Sequence, residues 1–205
     1  MSAEGLAEQV CRYAALVWQR GLVEAAGGNV SARAPGAPTF LITGTGLSLR
    51  QVEPRAVVEV DLAGRAADDG TGATPSKETG MHAAVYRNRP GAGAVIHCHP
   101  PYLVAYSSFG EPLPMPTVTA LALLKFVPAV PTAWSGSEQL HRAVDAVLEE
   151  HPEAPAVILQ HHGVIAFGRD LEEAFCRVDL VEKTARVWYL MRAVDGPLPD
   201  PESIS

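Results

Sequence analysis

The stretch Ala94-Val95-Ile96-His97-Cys98-His99-Pro100-Pro101 decides how this chain is read. Ala94 to His99 reads as a short strand, halted by two prolines that cannot extend a hydrogen-bonded ladder. Side chains alternate faces along a strand, so His97 and His99 point the same way and can reach one ion. Cys98 then points to the opposite face, as a small buried hydrophobe. Upstream, residues 77–88 read as a helix with Ser76 as its N-cap. Farther back come a turn at Asp68–Gly72, strands at 57–61 and 40–43, and a tight loop at 27–31. Leu6, Val10, Tyr13, Ala14 and Val17 recur at helical spacing over 6–20, and Gly21 closes that helix. Downstream, helices are expected at 137–150 and 171–191. Strands at 156–160 and 164–167 flank His161-His162-Gly163, and a frayed Pro-rich tail runs over 195–205. Interspersed helices and strands point to one central sheet in an α/β or α+β fold.

The 205 residues are the length of one domain, 1–205, with a core over about 6–192. Hydrophobic residues make up 47% and charged residues 19%, a globular balance that excludes disorder. The net charge of −7, with no basic block, argues against a nucleic-acid partner. No apolar run nears the roughly 20 residues of a membrane span. The stretch Met1–Gly5 lacks the basic region and apolar block of a signal peptide. The three cysteines, odd in number and far apart, are no disulfide framework. A cytoplasmic location follows as the expectation.

Four of the seven histidines fall in two compact groups, His97-Cys98-His99 and His161-His162-Gly163. Each group alone is more often structural than ligating. Together, with Glu78 upstream, they form the donor set of a catalytic metal site: about three protein ligands and an open position. Either His161 or His162 could be the third imidazole. His82, four residues after Glu78, shares its helix face and reads as structural support. His141 and His151 read as surface helix residues. The glycine-hinged loops Gly27-Gly28-Asn29-Val30-Ser31 and Thr43-Gly44-Thr45-Gly46, with Pro75-Ser76-Lys77 before a helix, could form a nest of donors for phosphate. None matches a dinucleotide or P-loop pattern. Lys125, the one lysine in an apolar run, reads as a snorkelling residue at a helix end.

Taken in order, Gly28-Asn29-Val30-Ser31, Thr43-Gly44-Thr45-Gly46, Pro75-Ser76-Lys77-Glu78 with His82, His97-Cys98-His99-Pro100 and His161-His162-Gly163 resemble the class II aldolase and adducin family. The resemblance spans Leu6 to Met191 and leans toward the L-fuculose-phosphate aldolase-like members. It implies an α/β fold: a three-layer α/β/α sandwich around a mostly antiparallel sheet, assembled as a homotetramer with the site at a subunit boundary. It implies that His97, His99 and His162 bind the divalent metal: zinc, with manganese or cobalt as alternatives. His161 is then a neighbour. Glu78 becomes the catalytic acid/base, and Gly28, Asn29, Thr45, Gly46, Ser76 and Lys77 become the phosphate pocket.

The function implied is a metal-dependent carbon–carbon lyase of carbohydrate metabolism. It would act on a phosphorylated ketose or sugar acid through an enediolate. The alternatives are a decarboxylase of a 3-oxo sugar-acid phosphate, a sugar-phosphate epimerase or dehydratase of the same family, and a non-catalytic adducin-like interaction module. The chain departs from the family pattern in several places. Lys77 stands where a second serine is common, Ala26 replaces a threonine, and Pro116–Thr119 holds no tyrosine where the aldolases place a proton donor. The tail over 196–205 has no aromatic where the aldolases bring one to the neighbour's site, and the Asp and Tyr of the 4-epimerases are absent from 113–124.

Overall fold

The computed structural model describes residues 3–66, 72–194 and 196–200. Among the described residues seven strands run in chain order: β1 (Asn29–Ala32), β2 (Thr39–Thr43), β3 (Val57–Asp61), β4 (Ala94–Cys98), β5 (Ala129–Val130), β6 (Ala156–Leu159) and β7 (Gly163–Gly168). Six α-helices among the described residues accompany them, with two short 3-10 helices at Leu49–Gln51 and Pro54–Ala56: α1 (Ala3–Gln19), α2 (Thr79–Asn88), α3 (Pro101–Ser107), α4 (Val118–Leu123), α5 (Glu138–Glu150) and α6 (Leu171–Arg192). The strands form one sheet in the order β3-β2-β1-β4-β7-β6-β5. Every pairing is antiparallel except β5 with β6.

Both faces of the sheet are covered. Ala94, Ile96 and Cys98 of β4 join the apolar cluster of α1, α3 and α6, built on Val10, Val17, Leu103, Val178 and Val181. Val95, between them, joins the opposite cluster with Met81, Val85, Leu140, Val144 and Leu148 of α2 and α5. The period-two alternation of β4 thus sorts its side chains between two helical layers, as a sheet buried on both sides requires. Cys98 is fully buried, as anticipated.

Several boundaries differ from the sequence reading. The helix expected from 77 begins at Thr79, and Glu78 occupies its N-cap position without capping through its side chain. The Ser76 hydroxyl accepts instead from the Glu78 amide and the Asn29 side chain. Part of the expected loop at 27–31 is β1, and its Asn29 pairs with His97 of β4. His99 lies just beyond β4, its amide donating to the Leu22 carbonyl. The short elements α3, α4 and β5 carried no clear periodicity. Lys125 is exposed just after α4, and residues 68–71 of the anticipated turn lie outside the described residues. His141 is no free surface group. It is half-buried, and a Cβ on Gly80 would meet its ring.

Candidate metal centre and anion pocket

The site forms at one end of the central strands. Pairing of β4 with β7 sets Cys98 opposite Val164, and pairing of β6 with β7 sets Leu159 opposite Gly163. The tight link between β6 and β7 is made by Gln160, His161 and His162, with His161 at φ 57°. That left-handed residue turns the chain, so His161 faces solvent while His162 turns inward. A Cβ on Gly163 would collide with the Cys98 carbonyl and meet the His99 ring, so glycine lets the two strands close at the imidazoles.

His97, His99 and His162 each offer one ring nitrogen that could serve as a metal ligand, and these three atoms lie within 4.8 Å of one another. His97 Nε2 stands 3.1 Å from His99 Nε2 and 3.1 Å from Glu78 Oε2, and His162 Nε2 stands 3.3 Å from Glu78 Oε1. The His97 Nδ1–H donates to the Val164 carbonyl at 3.0 Å, which leaves its Nε2 lone pair aimed into the cluster. Burial pushes the pKa of His99 down to about 3 and that of His162 down to about 4, with the neighbouring His97 adding to both shifts. Both rings are therefore neutral near pH 7, the form that binds metal. His99 Nε2 faces His97 Nε2, and the three rings together make a cluster that could hold a cation. Ligands about 2.1 Å from one ion stand about 3.0 to 3.4 Å apart, a spacing the His97–His99 pair already has. The donor set fits a divalent ion.

Glu78 is 4% exposed. Burial opposes its ionisation, but His97, the Ser135 hydroxyl and His162 outweigh burial, and its carboxyl is held below the ordinary range. Ser135 Oγ donates to Oε1 at 2.7 Å, and Asn29 Nδ2 donates to Oε2 at 2.9 Å. Ser135 carried no signal in the sequence, because it sits in a plain loop 57 residues from its partner.

Next to Glu78 opens a cavity of about 290 Å³. Gly28, Asn29, Thr45, Gly46, Ser76 and Lys77 all line it, together with Glu78, His99 and Ser135. The three loops read as one donor nest do meet. Gly28 adopts φ 75°, and a Cβ there would press on the His97 carbonyl and the Val23 side chain. A larger groove of about 380 Å³ lies at the other end of β1 and β4, bounded by Tyr13, Arg33 and Glu172. No metal-ligand cluster lies there among the described residues.

Comparison with known proteins agrees with this geometry. The family model described as class II aldolase and adducin N-terminal domain matches residues 8–189. The chain belongs to the class II aldolase and adducin family. Among relatives of this family, an L-fuculose phosphate aldolase of Methanococcus maripaludis is 31% identical, over 89% of this chain and 94% of its own. A 3-oxo-tetronate 4-phosphate decarboxylase of Cupriavidus necator is 31% identical, over 96% of this chain and 89% of its own. A solved L-fuculose 1-phosphate aldolase superposes with a TM-score of 0.88 at 27% identity, covering 98% of this chain and 94% of its own. This class II aldolase-family chain is an enzyme of the lyase type. Its sheet flanked by helices is the family's fold.

Proposed function

We propose that the protein is a divalent-metal-dependent aldolase that cleaves a phosphorylated ketose of the L-fuculose 1-phosphate kind. One observation carries this reading: three imidazoles and Glu78 converge beside a donor-lined cavity of about 290 Å³. His97, His99 and His162 would hold the ion. When bound, the ion supplies Lewis acidity, drawing charge onto the substrate carbonyl oxygen as the carbon–carbon bond breaks.

The chain's own groups do the rest. The Ser76 and Thr45 hydroxyls and the Lys77 ammonium bind the phosphate, whose grip positions the reacting end of the sugar. Gly28 and Gly46 let the backbone approach it closely. Glu78, between the phosphate cavity and the imidazoles, is the acid/base group. Its carboxylate takes the proton of the hydroxyl on the carbon that becomes the aldehyde and delivers it to the enediolate carbon left when the carbon–carbon bond breaks. Asn29 and Ser135 hold its two oxygens apart in fixed directions.

The finer assignments belong to the same proposal. The ion is zinc, with manganese or cobalt as substitutes, and residues 1–205 form one domain. The protein works in the cytoplasm, in carbohydrate metabolism, as a homotetramer. Metal analysis of purified protein and light scattering test the ion and the assembly. The deciding experiment is product analysis on a panel of sugar phosphates. Release of dihydroxyacetone phosphate plus an aldehyde supports the aldolase. Formation of no product from any member defeats it.

A second reading has support of its own. Lys77, a cation at the cavity rim beside Glu78, suits a substrate carrying a carboxylate, and one relative is named as a decarboxylase of a phosphorylated sugar acid. Carbon dioxide from a 3-oxo sugar-acid phosphate would select that reading.

A further inference from the structure

Behind Glu78 a row of polar side chains runs into the core. His82 and Tyr86 stand four residues apart on one stripe of α2, four and eight residues after its N-cap Glu78. Asn29 and Ser31 stand two apart on the facing side of β1. The two sets interleave. Asn29 Nδ2 lies 2.9 Å from Glu78 Oε2 and 3.0 Å from Ser76 Oγ. Asn29 Oδ1 lies 2.6 Å from His82 Nε2, His82 Nδ1 lies 2.7 Å from Ser31 Oγ, and Ser31 Oγ lies 2.8 Å from Tyr86 Oη. Asn29, Ser31, His82 and Tyr86 are all at most 3% exposed.

Donor and acceptor roles along this row are forced. The end of Asn29 facing Glu78 meets a carboxylate and a hydroxyl oxygen that already accepts from the Glu78 amide, so it is the amino end. Its carbonyl oxygen then faces His82, so His82 Nε2 carries the proton. Burial pushes the His82 pKa down to about 3, with His97 adding to the shift, so the ring is neutral and Nδ1 is bare. Ser31 must donate to Nδ1, and Tyr86 must donate to Ser31. One direction satisfies every member: Tyr86 to Ser31 to His82 to Asn29 to Glu78. Reversal at any link sets two lone pairs or two hydrogens against each other in the core.

We infer that His82, backed by Ser31 and Tyr86, is a positioning residue: it pins the Asn29 amide so that its amino group faces Glu78 and Ser76. A flipped Asn29 would turn its carbonyl oxygen on the Glu78 carboxylate and push it off the wall of the site. The inference rests on Glu78 as the acid/base group. It adds that the orientation of Glu78 is set from within the core.

Two readouts on the full chain test it. The first needs no substrate. Long-range proton–nitrogen correlation spectra near pH 7, with His82 assigned by its loss in His82→Gln, should show a neutral ring protonated at Nε2. A ring protonated at Nδ1, or at both nitrogens, overturns the inference. The second uses the sugar phosphate turned over best in the panel above. His82→Leu should lower kcat by about 10- to 100-fold, more than it changes KM, with metal content unchanged. His82→Gln, which keeps one donor and one acceptor, should recover most of that loss. Equal losses in both variants, or wild-type turnover per folded molecule in His82→Leu, overturn it. If the wild-type chain turns over no sugar phosphate, the proposed function fails by itself, and the tautomer still decides the relay.

Discussion

Glu78 keeps its two oxygens in different company, with Ser135 and His162 at one and Asn29 and His97 at the other. That arrangement lets a buried carboxylate stay ionised and aimed. Glu78→Gln preserves the shape and removes the base. It should retain metal and lose turnover by about 100-fold or more, read from single-substrate kinetics with metal analysis. Full activity in this variant would end the assignment. Ser135→Ala removes one charge-assisted hydrogen bond. It should lower kcat by about 10-fold without altering metal content, while Ser135→Thr keeps the hydroxyl and most of the rate. Unchanged kinetics in the alanine variant would show that Asn29 alone orients the carboxylate. The spacing of residues 78, 97, 99 and 162 in chemical type was visible in the chain. Ser135 was not, because a single serine in a loop has no periodicity and no partner until the loop is placed.

Among the elements, the link between β6 and β7 matters most to the site. His161 takes the left-handed conformation that tightens the turn, so of two adjacent histidines only His162 reaches the cluster. Residue type alone does not separate two adjacent histidines; the family resemblance pointed to His162, and the backbone angle at His161 gives a physical reason for it. Gly163→Ala should destabilise the protein by about 1 to 3 kcal/mol through overpacking, because its new methyl meets the Cys98 carbonyl and the His99 ring. Metal affinity should fall with stability. Thermal melting with metal titration checks both, and a wild-type melting temperature would contradict the close approach seen here. Element legibility followed the local pattern more than length: β6, with four residues, reads as a strand in the sequence. The long amphipathic α1 and α5 were readable within a few residues, while β1, also four residues long, read as part of a loop. Its strand character comes from pairing with β2 and β4, a non-local contact that local propensity does not encode.

At the scale of the whole molecule, the sheet brings distant segments together and buries ionisable groups at their meeting point. The folded-state pKa of His82 is lowered to about 3 from 6.5. A depressed histidine binds fewer protons folded than unfolded, so stability rises with pH across that interval. The contribution of neutral His82 is complete above about pH 6.5 and is lost as pH falls toward about 3. His99 and His162 shift the same way. The melting temperature should therefore drop steadily from pH 7 to pH 4, and His82→Gln should flatten the slope by about one proton's worth. A melting temperature flat across that range would contradict the burial of these rings as neutral groups. Metal removal is the companion test. An ion held only by the folded state at about 100 times its dissociation constant adds about 2.7 kcal/mol, so chelation should lower the melting temperature and added ion should restore it.

Composition, periodicity and the two histidine motifs were enough to read a globular chain of interspersed helices and strands carrying a metal-type donor set and glycine-hinged loops, and the family resemblance added the α/β class. Those are local properties, written in residue type and in spacings of two and four. The register that sets Asn29 against His97, the Ser135 hydroxyl on Glu78 and the one-way row behind it came only with the folded chain. Each depends on which strands lie side by side, a cooperative outcome of burying both faces of one sheet, and no window of neighbouring residues contains it.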